Sequence, residues 1–149
     1  MKSFALARVL QLAERRSETL SRAVKQAHGV WLRARGRQVQ LAALRDAHIA
    51  LLALDLKVGV SAAQVREASR LQHAQAEELR TAQAAIDAAH AEWRVRLDAW
   101  LAEENRVKAL RLLEARHRAA VAVAERRIEQ RQHDERVERL HRNDLRRRG

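Results

Sequence analysis

Residue types that could do chemistry are few in this sequence, and their spacing does not bring them together. The seven histidines never recur at intervals of three or four positions, so no helix face presents a pair of imidazoles to a metal ion. Glu103 and Glu104 are neighbours that point in different directions on a helix, and the four glycines form no phosphate-binding loop. We therefore predict no catalytic residue, no metal ligand and no cofactor, and we expect a protein that is not an enzyme.

The composition indicates long helices rather than a deep core. The 149 residues are 33% charged and 3% aromatic, and they include no proline and no cysteine. The absence of proline is compatible with long uninterrupted helices, and the many alanines favour helix. The longest apolar runs, 49–54 and 119–124, are far shorter than the roughly 20 residues of a membrane span. We expect a cytoplasmic protein without membrane insertion.

One short stretch carries both a helix stop and a helix start. Gly59 can adopt a positive φ and end a helix. Ser61 can cap the next helix, and Gln64, three residues later, completes a capping box. The sequence therefore predicts one helix over about 3–58, a joint at 59–60 and a second helix over about 61–142, followed by a short basic tail.

Apolar residues spaced three and four apart run along both predicted helices, which is the pattern of a coiled coil. A short joint between two long helices makes them antiparallel neighbours. The fold class predicted is all-α, a single domain over 1–149 formed by two long helices in an antiparallel coiled-coil hairpin. Counting from Gly59, residues should face each other where their numbers add to roughly 119. In this register the tryptophans face alanines: Trp31 faces Ala85, Ala88 and Ala89, and Trp93 faces Ala23 and Ala27.

The same register leaves the end of the second helix without a partner. Residues beyond about Arg118 have no counterpart on the first helix, yet Val121, Ala124 and Ile128 continue the apolar row. The second helix should therefore overhang at its C-terminus. An overhanging apolar row between basic side chains is typical of a binding surface.

The net charge of +11 lies mostly on the first helix and on the C-terminal tail. Residues 1–60 hold 11 basic against 4 acidic side chains, and residues 120–149 hold 9 against 6. Such an excess favours acidic partners. A basic nucleic-acid-binding hairpin is one alternative, but the tryptophans belong to the helix seam and no DNA-reading motif is visible. A generic structural coiled coil, including a dimeric one, is another.

Several segments carry a resemblance to a known family. Residues 124–135 read AERRIEQRQHDE, and Trp100, 106–116, 12–15 and 59–61 add further agreement. Together they resemble the FliJ family of bacterial flagellar export proteins and its YscO-type injectisome relatives. The resemblance implies a non-enzymatic central stalk at the cytoplasmic face of the inner membrane. The sequence leaves flagellum or injectisome open, and we favour the flagellum.

The resemblance also implies the partners and where they bind. The end with both termini is expected to enter the hexameric export ATPase, and the part near the joint to contact the cytoplasmic domain of the export gate. Export chaperones are further partners, and nucleic acid is not. The family often has Tyr and Phe at its gate positions, whereas this chain has no Tyr. The residues expected to contact the ATPase ring are Arg8, Arg15, Arg16, Val121, Ala124, Arg126, Arg127, Ile128 and Arg131. Those expected to contact the gate are Leu41, Leu44, His48 and Leu71.

Overall fold

A computed structural model describes residues 3–149. It contains two helices, α1 (Ala7–Val58) and α2 (Ala62–Arg148), and no strand within the described range. The two helices pack against each other, so the predicted all-α antiparallel hairpin is confirmed. The first helix begins at Ala7 rather than near residue 3, and the second continues to Arg148 rather than ending near residue 142.

The joint has the backbone geometry that its sequence predicts. Gly59 has a φ of 101°, and its N–H donates to the carbonyl of Asp55 at 3.0 Å, which ends α1 with a left-handed residue. Ser61 and Gln64 form the reciprocal capping box. The Ser61 N–H donates to the Gln64 side chain at 2.8 Å, and the Gln64 N–H donates to the Ser61 hydroxyl at 3.2 Å. These local bonds satisfy backbone groups at the end of one helix and the start of the next.

The residues cluster into two compact units, which we describe separately. The terminal unit comprises residues up to Arg16 together with Glu103–Gly149. Its core is small and apolar: Leu10, Ala13, Val107 and Leu110 are buried, with Val107 only 1% exposed. A salt bridge joins the two helices beside this core, from Arg111 to Glu14 at 3.4 Å.

The joint unit comprises Ser17–Ala102. Its buried apolar residues are Ala82, Ile86 and Ala89 on α2, and the polar side chains of Ser17 and Gln75 are buried as well. Small and polar buried side chains let two helices approach closely but exclude little apolar surface from water.

The register predicted from the joint misses the ring partners of Trp31 and Trp93. The two indole rings stack on each other, with centroids 5.1 Å apart and planes 8° apart. Trp31 also meets His90, and Trp93 meets His28, so the residue numbers of contacting pairs add to 121–124 rather than 119. A helical side chain leans toward the N-terminus of its own helix and covers a spot about one position earlier. Side chains on antiparallel helices therefore meet where their numbers add to about two more than the backbone register.

Candidate interaction surfaces

Every residue from 123 to 149 is exposed. We call residues 126–148 of α2 the C-terminal segment. At about 1.5 Å per residue it extends roughly 35 Å beyond Glu125. Ile128 is 54% exposed within it, and Ala124 is exposed just before it. The predicted overhang is therefore present, although it begins a few residues later than Arg118.

The C-terminal segment is stabilised as a helix by local charge pairs. Three arginines each pair with an acid four positions earlier, at 3.4–3.8 Å. An acid placed N-terminal to a base at this spacing stabilises an isolated helix by roughly 0.2–0.5 kcal/mol per pair. These pairs are Glu135 with Arg139, Glu138 with Arg142, and Asp144 with Arg148.

Six of the nine arginines in this segment form no ion pair with any residue in the described range 3–149, and three of these six lie within three residues of Ile128. These three are Arg126, Arg127 and Arg131, and all of them are exposed. Arg131 lies three residues after Ile128 and is its neighbour on the helix surface, whereas Arg126 and Arg127 lie two and one residues before it and point to other faces. A surface of this kind combines an apolar contact with positive charges that a partner's carboxylates can bind.

The sequence predicts that Val121 has no partner, but the structure places its side chain in a groove. It is half-buried and lines a groove of about 520 Å³ with Phe4, Ala7 and His117. The Phe4 and His117 rings are 5.7 Å apart. Val121 therefore has a partner because the residues just before α1 and at its first turn reach past the predicted end of the seam. Phe4 is a groove residue that the sequence reasoning missed, and the side-chain lean along antiparallel helices is the signal that would have found it.

The remaining basic residues predicted for this end lie on the first turns of α1. Arg8, Arg15 and Arg16 are all exposed. Arg8 and Arg15 are seven positions apart, so they lie near one face of the helix. Arg15 takes part in an interaction with another residue of the protein.

The four residues predicted near the joint all belong to the joint unit. Leu41 and His48 are half-buried, whereas Leu44 and Leu71 are 50% and 43% exposed. The side-chain amide of Gln75 donates a hydrogen bond to Nδ1 of His48. Leu71 lies four residues before Gln75, so the structure brings His48 and Leu71 to within about one helical turn.

A cluster of four rings in the joint unit was also missed from the sequence. His28 and His90 each contact both tryptophans, with centroid distances between 5.2 and 5.6 Å. The guanidinium of Arg35 lies 5.1 Å above the Trp31 ring. His28, Trp31 and Trp93 are half-buried and His90 is exposed, so the cluster lies at the edge of the contact between the two helices.

Neither a metal site nor a membrane span is found in the described part of the chain. No group of three or more His, Cys, Asp or Glu side chains is arranged to hold a metal ion between residues 3 and 149. No helix in that range is long and apolar enough to cross a membrane.

Comparison with known proteins identifies one family. The family model described as flagellar FliJ protein matches residues 1–146 of the 149-residue chain. The match covers nearly the whole sequence, and it confirms the resemblance drawn from individual segments. No curated protein and no solved structure matches the chain.

Proposed function

The chain belongs to the family of flagellar FliJ proteins and is a protein associated with flagellar export, and from this premise we propose that it is the central stalk of the export apparatus. In this role it links the hexameric export ATPase to the export gate and activates the ATPase. Membership of a family of non-catalytic export components fits the prediction that the chain is not an enzyme.

The observation that carries this proposal is the exposed C-terminal segment. Ile128 is 54% exposed on this charged helix, and the three arginines within three residues of it are exposed and form no ion pair with any described residue. The ATPase ring is the proposed partner, and its acidic side chains would bind Arg126, Arg127 and Arg131. The other proposed ring-binding residues are Arg8, Arg15, Arg16, Val121 and Ala124.

Val121 is less accessible to the ATPase ring than the side chains of the C-terminal segment. Val121 lies in the groove beside Phe4, so it would offer only part of its side chain to the ATPase. We therefore expect Ile128 to contribute more binding energy than Val121. A large apolar side chain that is half-exposed buries more new surface on binding than one already covered.

The proposed gate contact uses the joint unit. Leu44 and Leu71 supply exposed apolar surface, while His48 and Leu41 lie beside them in the seam. The gate's cytoplasmic domain is the partner proposed for this surface. Leucines replace the aromatic residues frequent in the family, so the contact relies on aliphatic burial. Export chaperones are the further partners proposed, at the cytoplasmic face of the inner membrane.

The proposed contact with the ATPase can be tested by measuring the affinity of two triple variants that lose the same charge at different places. Replacing Arg126, Arg127 and Arg131 together by Ala should weaken binding to the cognate hexameric ATPase by at least about tenfold, or 1.4 kcal/mol. Replacing Arg136, Arg146 and Arg147, which lie on the same segment, removes the same charge. This control should stay within about twofold of the unmodified chain. Equal weakening by both triple variants would show attraction by net charge alone and contradict the assigned surface.

The gate contact needs its own measurement. Leu71→Asp should abolish binding of the isolated cytoplasmic domain of the gate, because a charge would have to be buried in an apolar contact. Val65→Asp is the matched control, since Val65 is 47% exposed on the same helix and outside the proposed set. Binding that survives Leu71→Asp, or that is lost equally in both variants, would remove the gate assignment.

A further inference from the structure

The middle of α1 holds positive charge that few acidic side chains balance. Residues 19–45 contain six Lys or Arg side chains and no Asp or Glu. Two of the six have a partner just outside this stretch, because Arg22 pairs with Glu18 at 3.9 Å and Arg45 pairs with Asp46 at 3.2 Å. The other four form no ion pair with any residue that the structure describes, and they are Lys25, Arg33, Arg35 and Arg37.

The second helix does not neutralise this charge either. Within the described joint unit no ion pair joins α1 to α2. Glu67, Glu77 and Glu92 each pair with an arginine three or four positions later on α2 itself. The positive charge of α1 is therefore left to attract an anion from outside the chain.

The side of α1 that faces away from α2 is polar along this stretch. The half-buried seam positions are 24, 27, 31, 34, 38 and 41, at alternating spacings of three and four. A second row with the same alternation lies on roughly the opposite side of the helix, and it consists of Arg22, Gln26, Gly29, Arg33, Gly36 and Gln40. All of these except the half-buried Gly29 are exposed, and Lys25 and Arg37 flank the row. Without a large apolar side chain, the row is unsuited to the helix-to-helix contact that this spacing otherwise favours.

We propose that this basic face, defined as Arg22, Lys25, Arg33 and Arg37, binds the phosphate backbone of double-stranded nucleic acid without reading its bases. Interfaces between proteins have an apolar core, whereas phosphate contacts need only positive charges and hydrogen-bond donors. The two glutamines of the row supply further donors. A surface of arginine, lysine and glutamine therefore matches a phosphate backbone better than it matches a protein partner.

The choice of a duplex follows from the position of the aromatic side chains. Single strands are held by bases that stack on aromatic side chains. Trp31 is the only Phe, Tyr or Trp in residues 19–45, and it lies half-buried in the seam against Trp93. Phosphate contacts need neither a stacking platform nor a DNA-reading motif. Such binding is separate from the stalk function, and it contradicts the expectation from the resemblance that nucleic acid is not a partner.

The basic face can be tested by fluorescence anisotropy of a labelled DNA duplex of mixed sequence, titrated with the purified full-length chain over a series of salt concentrations. Replacing Arg33 and Arg37 together by Gln should weaken binding at low salt at least about tenfold. It should also reduce the slope of log affinity against log salt by about two, since each phosphate contact contributes roughly 0.9. Replacing Arg66 and Arg94 by Gln is the matched control, because these exposed, ion-pair-free arginines lie on α2 of the same unit. The control loses the same charge and should leave the slope unchanged.

Three results would overturn the proposal. The first is that the unmodified chain does not bind the duplex at low salt, and the second is that both double variants weaken binding equally. The third is that poly-glutamate or vesicles of anionic phospholipid bind as tightly as the duplex and lose binding in the same variant. The face would then belong to an acidic protein or a membrane surface. Circular dichroism should show equal helix content in both variants, since arginine and glutamine have similar helix propensities.

Discussion

Two glycines on α1 and at its end show how position decides what a single residue does. Gly59 has a φ of 101°, a conformation that disfavours any side chain, and its N–H closes the last turn of α1. Gly36 lies inside α1, and a Cβ atom added there would meet nothing within 4 Å. One glycine is therefore required by the backbone, whereas the other only weakens the helix.

The same substitution at these two glycines should have opposite effects. Gly59→Ala should lower the free energy of unfolding by about 1–2 kcal/mol, because alanine is strained at positive φ. Gly36→Ala should raise it by about 1 kcal/mol, because alanine is the better helix former and the site has room. Urea unfolding followed by circular dichroism measures both. A change of the same sign in both variants would contradict the assigned backbone roles.

The stacked tryptophans should be energetically coupled. Trp31→Ala and Trp93→Ala, made singly and together, should show a coupling energy of about 0.5–1.5 kcal/mol, which is typical of aromatic pairs. Trp31→Ala combined with Trp100→Ala is the matched comparison, and these two should be additive within about 0.5 kcal/mol. Equal coupling in the two cycles would mean that the stack seen between Trp31 and Trp93 is not a specific contact.

At the scale of the helices, local signals were enough to predict where the chain turns. Gly59, Ser61 and Gln64 lie within six consecutive residues, so their roles follow from the sequence alone. The partners of Trp31, Trp93 and Val121 could not be predicted in the same way. They depend on how far side chains lean along each helix, and a register counted from backbone positions omits that lean.

If the two helices pack in the terminal unit as described, truncating a buried leucine there should destabilise the protein more than truncating an exposed one. Leu110 is 8% exposed against Leu10, Ala13 and Val107, so Leu110→Ala should cost about 2–4 kcal/mol. Leu112, two residues further on, is 54% exposed, and Leu112→Ala should cost less than about 1 kcal/mol. Thermal unfolding of the two variants compares them directly. Similar losses in both would mean that the helices do not pack as described.

At the scale of the whole molecule, the family and the exposed surfaces support the same interpretation. Family membership associates the chain with flagellar export, and the C-terminal segment provides a surface suited to an acidic partner. The sequence predicted the overhanging helix because the hydrophobic row continues beyond the shorter helix. It could not identify which arginines are already paired, since ion pairs along a helix depend on side-chain geometry as well as spacing.

The most direct test of the stalk proposal is the rate of ATP hydrolysis by the cognate hexameric export ATPase, titrated with the full-length chain. We predict that the unmodified chain stimulates hydrolysis and that Ile128→Asp loses most of this stimulation. Val95→Asp should stimulate normally, because Val95 is 62% exposed on the same helix but outside the proposed surface. A chain that leaves the rate unchanged, or an Ile128→Asp variant as active as Val95→Asp, would contradict the proposal that the C-terminal segment activates the ATPase.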